Sequence, residues 1–109
     1  MKQHESKLQQ ACVKWFRLQY PNDIIFSCPN GGSRNAFEAV RLKAEGVLSG
    51  VSDLIVLKSN KVVFIEIKYG KGKQTESQLE FEAKVKSKGF EYYLVNSFEL
   101  FREIVVNLQ

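Results

Sequence analysis

Two apolar, β-branched runs of this sequence carry carboxylates where strands would be expected to carry none. Residues 52–57 and 62–69 read as strands, and Lys58-Ser59-Asn60-Lys61 between them reads as a hairpin connection. A loop centred between Ser59 and Asn60 sets Leu57 opposite Val62, Ile55 opposite Phe64 and Asp53 opposite Glu66. Side chains alternate along a strand, so Asp53, Ile55, Leu57, Val62, Phe64, Glu66 and Lys68 share one face, and Leu54, Val56, Val63, Ile65 and Ile67 share the other. Both faces are largely apolar and call for cover on both sides, which leaves Asp53 and Glu66 at one end of a buried face with Cβ atoms roughly 5 Å apart. Carboxylates so placed repel, and a shared proton, a cationic side chain or a divalent metal must relieve them. Mg²⁺ or Mn²⁺ suits such a pair, because hard ions take oxygen ligands and keep waters on an open side. Lys68 points to the same side, where an ammonium can orient an attacking water and stabilise charge developing on a phosphate. The same residues also suit a plain strand whose acidic ends reach solvent, with a simple Lys68–Glu66 ion pair. An odd-length loop would carry Asp53 to the opposite face.

Two further polar residues stand at the margin of apolar helix faces. Glu5 lies one turn before Leu8 and in line with Leu8 and Cys12, where it can point inward or serve the helix dipole from the first turn. Gln78 lines up with Phe81, Glu82 and Val85, and is also the last residue of Thr75-x-x-Gln78, a capping-box pattern.

The elements that must position these residues follow from periodicity. Leu8, Ala11, Cys12, Trp15 and Phe16 make an amphipathic helix over about residues 3–20, ended by Pro21-Asn22. Residues 24–28 form a short strand stopped by Pro29, and the turn Pro29-Asn30-Gly31-Gly32-Ser33 leads into a helix over about 35–45, closed by Gly46. After the hairpin come the loop 70–74, a helix from Thr75 to about Lys88, a strand over 91–95, and a helix after Ser97 in which Phe98, Phe101, Val105 and Leu108 recur. The order α-β-α-β-β-α-β-α, with a hairpin and a later crossover helix, predicts a mixed α/β sheet flanked by helices on both faces.

Length and composition bound what this can be. The 109 residues, 44% hydrophobic and 26% charged, supply one core and exclude a disordered or repetitive chain. No run approaches the ~20 apolar residues of a membrane span, and the polar opening is no secretion signal, so the expected location is the cytosol. Cys12 and Cys28 form neither a disulfide framework nor a metal cluster and are given no function. The net charge of +4 maps onto residues 54–75, where Lys58, Lys61, Lys68, Lys71 and Lys73 stand against Glu66 alone. Such a lysine-rich stretch is compatible with a phosphate backbone, though a solvated charged loop is the more ordinary reading.

Taken together, Gly50-Val51-Ser52-Asp53-Leu54, Ile65-Glu66-Ile67-Lys68 and Ser77-Gln78 resemble the VRR-NUC branch of the PD-(D/E)xK, restriction-endonuclease-like nuclease superfamily. The resemblance extends to Glu5, to the Pro29-Asn30-Gly31-Gly32 turn and to Gly46-Val47, so it spans nearly the whole chain. It implies that Asp53 and Glu66, with the backbone carbonyl of Ile67, bind Mg²⁺ or Mn²⁺. Lys68 would be the catalytic lysine, Glu5 would complete the acidic site directly or through a water, and Gln78 would position the lysine or the substrate phosphate. Ser52 stands where the superfamily pattern has proline, a position that carries no catalytic group.

The implied activity is a divalent-metal-dependent DNA endonuclease that hydrolyses phosphodiester bonds and leaves a 5′ phosphate. Arg34, Arg41, Lys71 and Lys73 would hold neighbouring phosphates and read DNA shape rather than bases. Minimal stand-alone members resemble Holliday-junction resolvases acting as homodimers, which implies branched DNA as substrate and a second copy as partner. Trp15 and Phe16 on the first helix are one candidate interface if the core does not absorb them. A flap, damage or nicking nuclease of the same chemistry, and a non-catalytic DNA-binding module of the same fold, are the alternatives.

Overall fold

The computed structural model describes residues 3–29 and 35–108. Its element order is α1 (Gln3–Gln19), β1 (Ile24–Ser27), α2 (Ala36–Ala44), β2 (Leu54–Lys58), β3 (Lys61–Ile67), α3 (Glu76–Ser87), β4 (Glu91–Val95) and α4 (Phe98–Val106), the succession that periodicity predicts. The four strands form one mixed sheet in the order β1-β2-β3-β4. The first three are antiparallel neighbours, and β4 joins β3 in parallel after the α3 crossover.

The hairpin is pinned by its turn. Ser59 and Asn60 both take positive φ, 57° and 62°, as the two central residues of a tight turn whose twist matches that of the strands. Leu57 therefore pairs with Val62 and Ile55 with Phe64, the predicted register.

One sheet face carries Leu54, Val56, Val63, Ile65 and Ile67, all fully buried with Cys12 and Phe16 of α1 and Phe101 and Val105 of α4. Burying the two phenylalanines alone contributes roughly 2–3 kcal/mol each. Phe64 on the opposite face meets Phe81 of α3 and Phe90 edge-on, and Phe81 also meets Tyr92. Helices thus lie on both faces, α3 covering the β3–β4 side of the second while Ile24 and Phe26 of β1 on that face stay exposed.

Caps fix the helix starts. Asn35 accepts the Glu38 N–H at 2.7 Å and caps α2. Ser97 does the same for α4 through the Leu100 N–H. Beyond the last turn of α2, Gly46 at φ 110° lets the Val47 N–H reach back to the Leu42 carbonyl.

Two sequence expectations change on folding. Trp15 and Phe16 are not a free surface: Phe16 is fully buried, and Trp15 packs edge-on against Tyr20, Phe98 and Phe101. The apolar residues left most exposed include Leu18 near the end of α1 and Phe37 and Val40 of α2, a helix that buries none of its residues. The lysines of residues 54–75 do not make one patch either. Lys58 lies over the Tyr20 ring and Lys61 pairs with Glu91 at 3.2 Å, both at the hairpin end of the sheet and away from the Asp53 end of β2. Cys12 is an inert core residue, its thiol pushed up to about 12 by burial.

Candidate active site

Asp53 immediately precedes β2, and its position is held from two sides. Its carbonyl accepts the Cys28 N–H at 2.9 Å, and its Oδ2 accepts the Ile67 N–H of β3 at 2.7 Å. Ser52, beside it, is fully buried and donates its hydroxyl to the Leu54 carbonyl at 3.2 Å. The hydroxyl therefore restrains the entrance to β2 locally, which accounts for how a residue other than proline is accommodated there.

Glu66 is 1% exposed, a carboxylate buried near the end of the apolar strand β3. Its Oε2 accepts a hydrogen bond from Gln78 Nε2 at 3.0 Å and lies 3.6 Å from Lys68 Nζ, while its Oε1 is buried without a partner. Lys68 is itself largely buried, its side chain 13% exposed, so this pair is screened far less than a surface ion pair. Burial pushes the Glu66 carboxyl up to about 8, with the Asp53 charge adding to the effect. Asp53 is also raised, first by burial and in part by the charge of Glu5, against the lowering effect of the Ile67 N–H, of a hydrogen bond with Glu66 and of Lys68. Asp53 raises Glu66 through its charge and a hydrogen bond, while the hydrogen bond from Glu66 lowers Asp53, the split expected of two carboxyl groups that compete for one proton.

Gln78 performs both of the roles open to it in the sequence. Its Oε1 accepts the Thr75 N–H at 2.8 Å and its backbone N–H donates to Thr75 Oγ1, a full capping box, while its Nε2 reaches Glu66. This placement depends on Gly50. At φ 84° it lies against the first turn of α3, where a Cβ would collide with the Ser77 carbonyl and come within 2.9 Å of the Gln78 nitrogen.

Glu5 reaches the site from α1 across the loop after β3. Its Oε2 lies 3.5 Å from where a Cβ on Gly72 would sit, beside the Lys68 side chain. Among the described residues no three His, Cys, Asp or Glu groups gather closely enough to hold a metal ion between them. The acidic centre consists of Asp53 and Glu66, with Glu5 at its edge.

Of the expected phosphate contacts, Lys71 and Lys73 are exposed on the loop beside the site. Arg41 is on α2 in an ion pair with Glu45 at 3.0 Å. Arg34 and the Asn30-Gly31-Gly32 turn lie outside the described residues.

Several neighbours of the site escape a reading of the sequence. The Tyr92 hydroxyl, held up by burial and by the Glu66 charge, accepts Gln74 Nε2 at 3.1 Å, and the same amide donates to Glu82 at 2.9 Å. This anchors the end of the lysine loop to β4 and α3. His4 and Tyr69 stack with ring centroids 4.6 Å apart, tying the first turn of α1 to the residue after Lys68. Capping-box spacing is the one signal that points to Thr75. The parallel pairing that brings Tyr92 in has no local signature.

The sequence profile of the VRR-NUC domain matches residues 1–99. No curated protein matches the sequence. Two solved structures share the fold: a "VRR_NUC domain protein" with TM-score 0.75 and 20% identity, covering 99% of this chain and 90% of its own, and a "VRR_NUC domain" with TM-score 0.68 and 18% identity, covering 96% of this chain and 97% of its own. Among the described residues no helix is long and apolar enough to cross a membrane.

Proposed function

Because the chain belongs to the VRR-NUC family, a family of nucleases, we propose that it is a divalent-metal-dependent DNA endonuclease whose centre is Asp53, Glu66 and Lys68, acting on branched DNA. The observation that carries this reading is Glu66: a fully buried carboxylate with one oxygen committed to Gln78 and Lys68 and the other without a partner. A buried oxygen of this kind costs about 1–3 kcal/mol unless something occupies it. Hard oxygen donors beside an orphaned acceptor fit Mg²⁺ or Mn²⁺, which Glu66, Asp53 and the Ile67 carbonyl would hold, with Glu5 contributing from the edge. When bound, such an ion supplies Lewis-acid charge at the phosphate and an acidified water.

The protein's own groups do the rest. The Ile67 N–H fixes Asp53 through Oδ2 and leaves its other oxygen for the cation. Gln78 holds Glu66 in one rotamer through Oε2. Lys68 offers an ammonium to the attacking water and to the charge that grows on the non-bridging phosphate oxygens, within an environment dry enough to strengthen it. Breaking the bond to the 3′ oxygen leaves the phosphate on the 5′ side. Lys71 and Lys73 hold flanking phosphates from the loop that Gln74 anchors.

We propose further that the enzyme works as a homodimer, which places two sites across a junction. The uncovered Phe37 and Val40 of α2 support an assembly.

The test compares a labelled four-way junction with a matched linear duplex in Mg²⁺, Mn²⁺ or EDTA, using wild type and Glu66→Ala. Metal-dependent cutting of the junction by wild type alone sustains the reading. Preferential cutting of nicked or flapped duplex would retain the chemistry and replace the substrate, and equal retardation without cutting by either protein would leave only a DNA-binding module.

A further inference from the structure

Helix α1 and the edge strand β1 enclose a groove of about 550 Å³ whose lining includes Ser6, Gln10, Lys14, Arg17 and Ser27. Both walls lead back to the candidate active site. On the helix side the groove opens one residue beyond Glu5. On the strand side Ser27 is followed by Cys28, whose N–H bonds the Asp53 carbonyl. Ser6, Gln10, Lys14 and Arg17 recur at helical spacing along one face of α1, over roughly 16 Å at 1.5 Å per residue.

The charge of the helix is one-sided. Between Gln3 and Gln19 the helix carries Lys7, Lys14 and Arg17 with Glu5 as its single carboxylate, and that carboxylate is turned toward Gly72 at the catalytic end. Hydroxyl, amide, ammonium and guanidinium donors occur along the groove, with the apolar Val13 and Leu18 set among them. Gln10 Nε2 donates to Ser6 Oγ at 3.1 Å, which aligns two of them, and Arg17 donates to the Ile25 carbonyl at 3.1 Å, which fixes the guanidinium at the far end. A ligand matched to such a row is extended, rich in acceptors and negatively charged at regular intervals. A nucleic-acid strand has those properties.

Resting on the nuclease reading, we propose that one strand of the DNA substrate runs from the scissile phosphate along this α1–β1 groove. About two to three successive phosphates would be held by Gln10, Lys14 and Arg17, given the length of helix available. Lys14 is the residue to vary, being exposed; Arg17 also joins α1 to β1 through Ile25 and is left intact.

The experiment measures affinity for a branched DNA in EDTA as a function of salt, for wild type and Lys14→Glu, with melting temperature as the folding control. A parallel series carries single neutral methylphosphonates along one strand. The expected result is at least a tenfold loss of affinity for Lys14→Glu at unchanged melting temperature. With Lys14→Ala, the slope of log affinity against log salt should fall by about one unit. A methylphosphonate that weakens wild type should leave Lys14→Ala unaffected at one or two positions only. Equal affinity and equal phosphate profiles for wild type and both variants would overturn the groove, whether or not the protein cuts. Lys14-dependent binding without cleavage in Mg²⁺ or Mn²⁺ would uphold the groove and remove the nuclease reading. Failure of the wild type to bind any DNA would overturn both.

Discussion

Gln78 Nε2 donates to Glu66 Oε2 at 3.0 Å while the other end of the same amide closes the capping box of α3. A helix start and a buried carboxylate thus share one side chain, and the position of α3 on the sheet sets the rotamer of Glu66. Gln78→Ala should cost about 2 kcal/mol, combining a weakened cap with the loss of a hydrogen bond to a buried acid. Denaturant unfolding measures the first effect. Cleavage rates at saturating DNA should fall more than affinity does, because Glu66 loses its restraint while Lys71 and Lys73 are left in place.

The carboxyl pair makes metal-free stability depend on pH in a definite direction. The folded-state pKa of Glu66 lies near 8 against an ordinary value of 4.5, so between these limits the folded protein keeps a proton that the unfolded chain has released. This contribution to stability is complete below about pH 4.5 and is lost as pH rises through about 8. In EDTA, the melting temperature of wild type should therefore decline across that window relative to Glu66→Gln, which carries no titrating group there. Mn²⁺ should restore it at pH 7.5 in wild type and not in Glu66→Gln. Parallel melting curves for the two proteins across this range would remove the claim that burial raises Glu66.

The hairpin register was legible because its physics is local. A two-residue turn at Ser59-Asn60 and strict alternation along β2 and β3 set Asp53 and Glu66 on one face without help from the rest of the chain. Gln78 was legible as ambiguous, and both of its readings hold. The partner of β4 was not legible: a parallel pairing is set by how α3 packs across the sheet, so the approach of Tyr92 and Gln74 to the site left no mark in the sequence. Charge counted along the chain also misled. The hairpin folds Lys58 and Lys61 to the far end of the sheet, while Lys14 and Arg17, lost in an apparently neutral remainder, line a groove next to the site.

Lys68 is the group whose removal should separate chemistry from folding. Its ammonium stands 3.6 Å from Glu66 Oε2 with little exposure to solvent. Lys68→Met keeps the aliphatic stem and removes the charge, so single-turnover cleavage should drop by about 10² to 10³-fold. DNA affinity in EDTA should change less than threefold, since Lys71 and Lys73 remain. The Lys68 charge is what lowers the Glu66 carboxyl against burial and Asp53, so without the ammonium Mn²⁺ binding at pH 7 should weaken and recover as pH is raised. Cleavage by Lys68→Met within threefold of wild type would show that the lysine serves only to balance charge.

Gly50 offers the most direct test of whether the placement of α3 governs the site. Its φ of 84° is strained for any other residue, and a Cβ there would strike the Ser77 carbonyl, a backbone atom in the first turn of α3 that cannot swing aside. Gly50→Ala must therefore distort the turn before Asp53 or lift the start of α3 away from the sheet. Either response should destabilise the protein by about 3 kcal/mol. If the helix moves, Gln78 leaves Glu66 and the fraction that remains folded should cleave poorly. Combining Gly50→Ala with Gln78→Ala should then reduce cleavage no further than Gly50→Ala alone, because the two changes remove the same contact. Fully additive losses would show instead that Gly50 acts through Asp53.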